Sequence, residues 1–278
     1  MKEFKIGIQM YSVRDEIENG MERALKRIAE MGYDCVEFAG YYGETAESLK
    51  EMLDKYGLEA RSVHDSYEDL LANPEEKLRF LKTIGVKFFA IPKLAKDKHK
   101  GSEVFEKTAA DIKKAANILK ENGIQLLYHN HEFEFDEYEG KCLMDWLFGE
   151  IPPELMNPEI DTCWVNFAGI DPCEYIEKYS GKTEVIHLKD FVCRNIEGLP
   201  LYKKVAEMKK DGKTVTRDGS GFEYRPVGSG VQDFESIIKS AEKAGTKYLI
   251  VEQDFHPERT PFEDAEKSVN FLKKLLAK

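Results

Sequence analysis

The feature that most limits the folds open to this chain is a repeated unit: an amphipathic helical segment, a glycine, a short β-rich run and then an ionisable residue. The segments ALKRIAEMG, LKEMLDKYG, KLRFLKTIG, DIKKAANILKENG, PCEYIEKYSG and SIIKSAEKAG end at Gly32, Gly57, Gly85, Gly123, Gly181 and Gly245. Glycine suits those places because the residue after a helix often adopts the left-handed conformation, where a Cβ is penalised. The runs that follow, DCVEF, LEARSVH, VKFFAIPK, IQLLYHNH, TEVIHLK and KYLIVEQ, have strand length and β-rich composition. With FKIGIQMY at the start and PEID near position 160 there are eight. Helices alternating with strands imply parallel pairing through right-handed crossovers. Eight units predict an α/β fold, a closed (βα)8 TIM barrel. An open doubly wound sheet would carry a glycine-rich turn after its first strand, and the residues there are YSVRDE.

The whole chain, 1–278, reads as one barrel domain, since 278 residues lie within the usual barrel range and no Pro/Gly/Ser-rich linker divides them. The long stretch 191–230 after strand 7 exceeds a plain turn and contains a helical patch, LYKKVAEMKK; it is expected to be a lid or an oligomer contact. A net charge of −11 argues against sequence-independent attraction to nucleic acid and favours a small-molecule ligand. No apolar stretch approaches the ~18 residues that a membrane span requires. The N-terminal MKEFKIGIQMYSV reads as a structural element with no cleavage site, so a cytoplasmic location is expected. The five scattered cysteines form no C-x-x-C pair and point to neither a disulfide framework nor a cysteine metal site.

In a barrel of this kind the C-terminal strand ends ring the active site. The polar residues expected there are Glu37, His64, Lys93, His129, His131, Asp161, His187, Lys189 and Glu252. Four of the six histidines fall in such positions, which points to a site more than to surface decoration. Asp161, His187 and Glu252 offer oxygen and nitrogen ligands suited to one divalent ion, Mn²⁺, Mg²⁺, Co²⁺ or Zn²⁺. The competing reading is a set of strand-end salt bridges. In LLYHNHEFEF, residues 126–135, alternation puts His129 and His131 on one face of strand 5, with Tyr128 and Asn130 on the other. Two adjacent imidazoles repel if both are charged, so at least one is expected to be neutral, free to bind metal or accept a proton. Three weaker candidates remain. The stretch RDGSGFEYRPVGSG, residues 217–230, could bind phosphate through backbone amides. Trp164 could pack on a sugar ring or be core. Lys189 could polarise an oxygen or pair with Asp190 or another carboxylate.

IGIQMYSVRD, VEFAGYYG, YHNHEFEF, IDTCWVNFAGIDP, VIHLKD, PVGSG and IVEQD together resemble the xylose-isomerase-like barrel superfamily over nearly the whole chain. That group includes sugar phosphate isomerases and epimerases, inosose dehydratases and endonuclease IV. Its epimerases hold one metal with Glu, Asp, His and Glu from strands 5 to 8, the two glutamates moving protons. The resemblance implies Asp161, His187 and Glu252 as the last three ligands. At strand 5 this chain departs, with His129 in register where the first glutamate stands and Glu134 just beyond. His129 is taken as the ligand, with Glu134 as the alternative, and the paired histidines are similar to the inosose dehydratase branch.

The expected activity is metal-dependent isomerisation or epimerisation by proton transfer beside the carbonyl of a sugar, sugar phosphate or keto sugar. Glu252, His131, Glu134 and Lys189 would be catalytic, and Glu37, His64, Lys93 and Trp164 would contact substrate. The alternatives are a keto-sugar or inosose dehydratase and a sugar-binding barrel without catalysis. A homo-oligomer is compatible with either, and neither a nucleic acid nor a membrane partner is expected.

Overall fold

A computed structural model describes residues 4–278. Its eight barrel strands are β1 (Lys5–Gln9), β2 (Cys35–Ala39), β3 (Glu59–His64), β4 (Phe88–Ile91), β5 (Gln125–His129), β6 (Met156–Asp161), β7 (Val185–Leu188) and β8 (Tyr248–Val251). Every neighbouring pair is parallel, the strands follow sequence order around the barrel, and β8 closes on β1. The crossover helices are α1 (Met21–Met31), α2 (Ala46–Tyr56), α3 (Pro74–Ile84), α4 (Phe105–Glu121), α5 (Leu143–Glu150), α6 (Pro172–Lys178), α7 (Phe234–Ala244) and α8 (Pro261–Leu276). The predicted (βα)8 barrel is therefore the fold.

Sequence punctuation explains the element ends. Gly32, Gly57, Gly85 and Gly245 each follow their helix directly with a left-handed backbone. Gly123 and Gly181 also have positive φ but come later, because Asn122 caps α4 and Tyr179 caps α6. The main core lies between the strands and the apolar helix faces, where Ile8, Leu25, Ile28, Val36, Leu126, Ile160 and Leu249 are completely buried. Among the described residues no helix is long and apolar enough to cross a membrane, and all five cysteines are free thiols.

The 191–230 stretch is more ordered than its lack of periodicity predicts. Asp190–Cys193 pairs antiparallel with Phe222–Arg225, and a helix over Leu201–Lys210 lies between the two strands. This hairpin has a small core of its own, in which Phe191, Leu201 and Val205 pack with Cys163, Trp164 and Phe167 from the segment after β6. Short strands of mixed polarity joined by a long excursion leave little alternation for sequence reading to detect.

Candidate active site

Register brings the predicted ligands together. Asp161 on β6 pairs with His187 on β7, and His129 on β5 pairs with Glu159 on β6. At the C-terminal mouth, His129 Nε2 lies 3.7 Å from Asp161 Oδ2 and 4.0 Å from Glu252 Oε2, and His187 Nδ1 lies 2.9 Å from Glu252 Oε2. All four residues are buried, and one ligand atom from each falls within 4.8 Å of the others.

Asp161 shows how local structure sets up such a group. It is the N-cap of the short helix Thr162–Phe167, and Oδ1 accepts from the backbone N–H of Cys163 at 2.8 Å and of Trp164 at 3.4 Å. The Asn130 side chain brackets its backbone, accepting from Asp161 N at 3.0 Å and donating to Asp161 O at 3.2 Å. With one oxygen tied down, Oδ2 makes no hydrogen bond and faces the Lys189 ammonium at 3.2 Å.

Beneath this layer lies a second one. Glu37, completely buried, accepts from Gln9 Nε2 at 2.6 Å and from Ser62 Oγ, and its Oε1 stands 3.0 Å from His64 Nε2 and 2.9 Å from His187 Nε2. Glu159 meets His64 Nε2 at 2.6 Å, His129 Nδ1 at 3.4 Å and His187 Nε2 at 3.4 Å. Sequence reading missed Glu159. The signal was available, because Glu159 precedes Asp161 by two residues on the same strand and so shares its face. Glu37 was expected to touch substrate; with no exposed surface, it instead backs the imidazoles.

Burial opposes charge on His64, but Glu37 and Glu159 outweigh it and raise the imidazole to about 10. His187 is likewise held well above the ordinary histidine range against burial, by Glu37, Glu159 and Glu252. His129 goes the other way: burial, with His187 and His64 as cationic neighbours, keeps it neutral. Burial and Lys189 lower His131 to about 3. Burial thus favours the neutral form at both strand 5 positions.

β5 ends at His129, and His131 caps the 3₁₀ turn Glu132–Phe135, with its ring 5.2 Å from that of His129. Glu134 is turned away from the ligand cluster. It accepts from Tyr128 OH at 2.9 Å and from His131 N at 2.7 Å, and burial pushes its carboxyl up to about 8. Lys189, 1% exposed, sets Nζ 3.2 Å from Asp161, 3.1 Å from Glu252 and 3.2 Å from Asp254. The cavity above, about 430 Å³, is lined by His64, Lys93, His129, His131, Arg217 and Glu252 among others. Trp164 does not reach it. The indole is fully buried between the Arg217 guanidinium, 4.1 Å from the ring centroid, and the stacked ring of Phe222, so in this conformation it is wall and not a sugar platform.

The glycine-rich 217–230 stretch also departs from expectation. The amides of Gly228, Ser229 and Gly230 donate to Asp190 Oδ2 at 3.0, 3.0 and 2.7 Å, and those of Phe191 and Gln232 donate to Oδ1 at 2.9 and 3.2 Å. A Cβ at Gly230 would collide with Phe191 O and the Asp190 carboxylate. The chain's own carboxylate fills this anion nest, which removes it as a phosphate site.

A family model described as xylose isomerase-like TIM barrel matches residues 25–275. The chain belongs to that family. It is 25% identical to an inosose dehydratase of Geobacillus kaustophilus, over 91% of this chain and 88% of the relative. An inosose dehydratase of Mesomycoplasma hyopneumoniae is 26% identical, over 100% of this chain and 98% of that one. Among solved structures, a sugar phosphate isomerase/epimerase from Parabacteroides distasonis superposes with a TM-score of 0.74 at 24% identity, covering 98% and 94% of the two chains. The IolI protein, solved with a bound zinc atom, superposes with a TM-score of 0.67 at 13% identity, covering 99% and 98%. These structural likenesses bear on the fold.

For a member of this family, the donor set fits a divalent cation on its own geometry. Ligand atoms about 2.1 Å from an ion stand roughly 3.0–3.4 Å apart; the separations here include 2.9, 3.7 and 4.0 Å, and all four atoms lie within 4.8 Å of one another. Asp161 Oδ2 is buried and makes no hydrogen bond, facing the Lys189 ammonium at 3.2 Å, and His129 Nε2 and His187 Nδ1 face the Asp161 and Glu252 carboxylates. Five carboxylates, Glu37, Glu159, Asp161, Glu252 and Asp254, share this network with one permanent cation, Lys189. Such an excess of buried negative charge calls for protons or a metal ion.

Proposed function

We propose that the protein is a divalent-metal-dependent lyase that removes water from a keto sugar or keto cyclitol, beginning with proton abstraction next to the carbonyl. His129, Asp161, His187 and Glu252 would hold the ion. When bound there, the ion would polarise a carbonyl and offset negative charge developing on its oxygen. His131 lines the cavity, and burial holds its imidazole in the neutral form, which suits it to accept the α-proton. The C–H electrons form the new double bond as the β-carbon–oxygen bond breaks. The departing hydroxyl then takes up a proton and leaves as water. Lys189, an ammonium bordering Asp161 and Glu252, is the donor at the edge of the ligand set. His64 and Lys93 line the cavity and would bind hydroxyls.

The observation that carries this reading is the make-up of strand 5. Epimerisation asks for two like groups that exchange a proton across one carbon. Here β5 and its turn supply imidazoles, and the carboxylate of Glu134 is engaged by Tyr128 and the backbone. The similarity to relatives named inosose dehydratase supports the same reading. The filled nest at Asp190 favours an unphosphorylated substrate. Isomerisation or epimerisation is the second reading, because Glu252 also lines the cavity and is a second proton acceptor beside His131.

The test is mass spectrometry of keto sugars and inososes incubated with Mn²⁺-loaded protein in D₂O. Loss of one water is the expected result. Carbon-bound deuterium in a product that has lost no water would instead establish the isomerase or epimerase. A protein that binds sugar but holds no metal after Mn²⁺ addition and turns over nothing would be a non-catalytic barrel.

A further inference from the structure

A larger cavity, about 880 Å³, lies beside the reaction cavity and shares Lys93 and Phe133 with it as wall residues. We propose that it receives a second ring, attached to the reacting sugar, so that the substrate is a glycoside and not a free monosaccharide. The proposal rests on the keto-sugar reading above.

The first argument is space. The reaction cavity of about 430 Å³ is ample for one sugar ring, and a substrate confined to it would leave the larger neighbour without use. The second is the character of the walls. Leu94, Phe133, Tyr138, Leu143 and Trp146 supply apolar and aromatic surface. The charges around them are mixed, with Lys93, Lys96 and Lys100 set against Asp136 and Glu137. An anion pocket would exclude those carboxylates, whereas a ring with polar edges and an apolar face accepts both kinds of neighbour.

The third argument is that the aromatic surface is held ready. Trp146 Nε1 donates to Tyr138 O at 3.0 Å, and the ammonium groups of Lys100 and Lys141 lie 4.6 and 4.9 Å from its ring centroid. Tyr138, 43% exposed, sets its ring against Gly101, where a Cβ would come within 2.6 Å of it; that glycine also has φ +95°. Phe133 joins the two cavities. Its ring is near parallel to those of His131, at 5.4 Å and 11°, and His99, at 5.7 Å and 16°. A ring bound in the larger cavity would therefore continue an aromatic wall that begins at the reacting centre.

A sugar ring and an aryl ring share the chemistry that this surface recognises, and the experiment separates them. Turnover of a keto sugar carrying O-methyl, O-glucosyl or O-phenyl at its anomeric carbon is compared in wild type, Trp146→Ala and Tyr138→Ala. Ring-bearing substrates should show a kcat/KM about tenfold above the methyl form, the scale of one good ring contact. Both variants should lose that preference and process the methyl form within about twofold of wild type. The better of the glucosyl and phenyl forms identifies the ring. Equal turnover of all three forms, or a preference that survives both substitutions, overturns the proposal.

A binding measurement separates its failure from failure of the reaction. Trp146 emission, isolated by Trp164→Phe, is titrated with methyl glucoside, cellobiose and phenyl glucoside. A change with a ring-bearing probe alone supports the cavity even if no keto sugar is turned over. Turnover with no such change and no ring preference overturns the cavity and leaves the reaction standing.

Discussion

Two layers of the same barrel mouth use the same residue types to opposite ends. In the lower layer, Glu37 has Gln9, Ser62, His64 and His187 around its two oxygens, and Glu159 Oε2 has His64 at 2.6 Å. In the upper layer, one Asp161 oxygen caps a helix and the other makes no hydrogen bond and faces the Lys189 ammonium at 3.2 Å, and Glu252 opens onto the cavity. Buried polar atoms are nearly always paired, so Glu37, with both oxygens engaged, is scaffold, whereas Glu159 keeps one buried oxygen without a hydrogen bond and the upper layer leaves its donors facing one another at the cavity floor. The lower layer also sets the upper one, because the imidazoles of His129 and His187 each stand between a lower carboxylate and an upper one. Carboxylates behind metal-binding histidines orient the rings and raise their basicity.

The largest effect expected from this contrast follows loss of an upper-layer donor. Asp161→Ala, His187→Ala and Glu252→Ala should each abolish turnover and strip bound metal, read by elemental analysis after Mn²⁺ or Zn²⁺ loading, with the circular dichroism spectrum unchanged. Asp161→Asn separates the residue's two tasks. It keeps an oxygen for the Cys163 amide and avoids the ~1 kcal/mol that loss of an N-cap typically costs, but gives up the anionic ligand. Full metal occupancy in two or more of the alanine variants would remove the metal assignment.

The lower layer should respond less. Glu159→Gln and Glu37→Gln should weaken metal binding by about 10–100-fold, the usual effect of removing a carboxylate behind a ligating histidine, and leave measurable turnover. His64, His129, Glu159 and His187 also lie close enough together to hold an ion. Glu159→Gln therefore tests the order of the two layers. If it abolishes metal binding while Asp161→Asn retains it, the ion belongs below and the contrast is reversed.

The fold was legible because it is written redundantly, in eight strand-like runs and glycines that follow helices. The upper layer was legible for a related reason: Asp161, His187 and Glu252 stand at strand ends, where barrel topology alone predicts convergence. Glu159 carried a periodicity signal that went unused, since PEID is too short and too polar to show that it lines the interior. The partners of Glu134 and Asp190 could not be read. Each depends on a local turn: the 3₁₀ bend at Glu132–Phe135 directs Glu134 toward Tyr128, and the 226–232 loop wraps its amides around Asp190. Long-range geometry of this kind leaves no pattern in spacing. Trp164 was ambiguous because platform and core make the same demand on composition.

The smallest functional effect is expected at Glu134, the alternative strand 5 ligand. Glu134→Gln should retain metal and turnover, because the carboxylate faces Tyr128 and the His131 amide and not the ligand cluster. His129→Ala should lose the metal. The consequence for stability depends on pH, and its sign is set by burial. Burial raises the folded-state pKa of Glu134 from the ordinary 4.5 to about 8. The folded protein then holds a proton that the unfolded chain has released. The stability this contributes is complete below about pH 4.5 and is lost as pH rises through about 8. Glutamine cannot ionise, so the melting temperature of Glu134→Gln should gain on wild type by a few degrees from pH 5 to pH 8. Other buried carboxylates titrate in both proteins, and their contributions cancel in the difference. The opposing possibility is physical as well, since two donors aimed at the carboxylate favour its charged form. A difference that stays flat or shrinks with rising pH would mean that those donors win, and that Glu134 is ionised and available to a cation. Metal loss in Glu134→Gln, with retention in His129→Ala, would move the strand 5 ligand from the imidazole to the carboxylate and bring the symmetric two-glutamate mechanism back into contention.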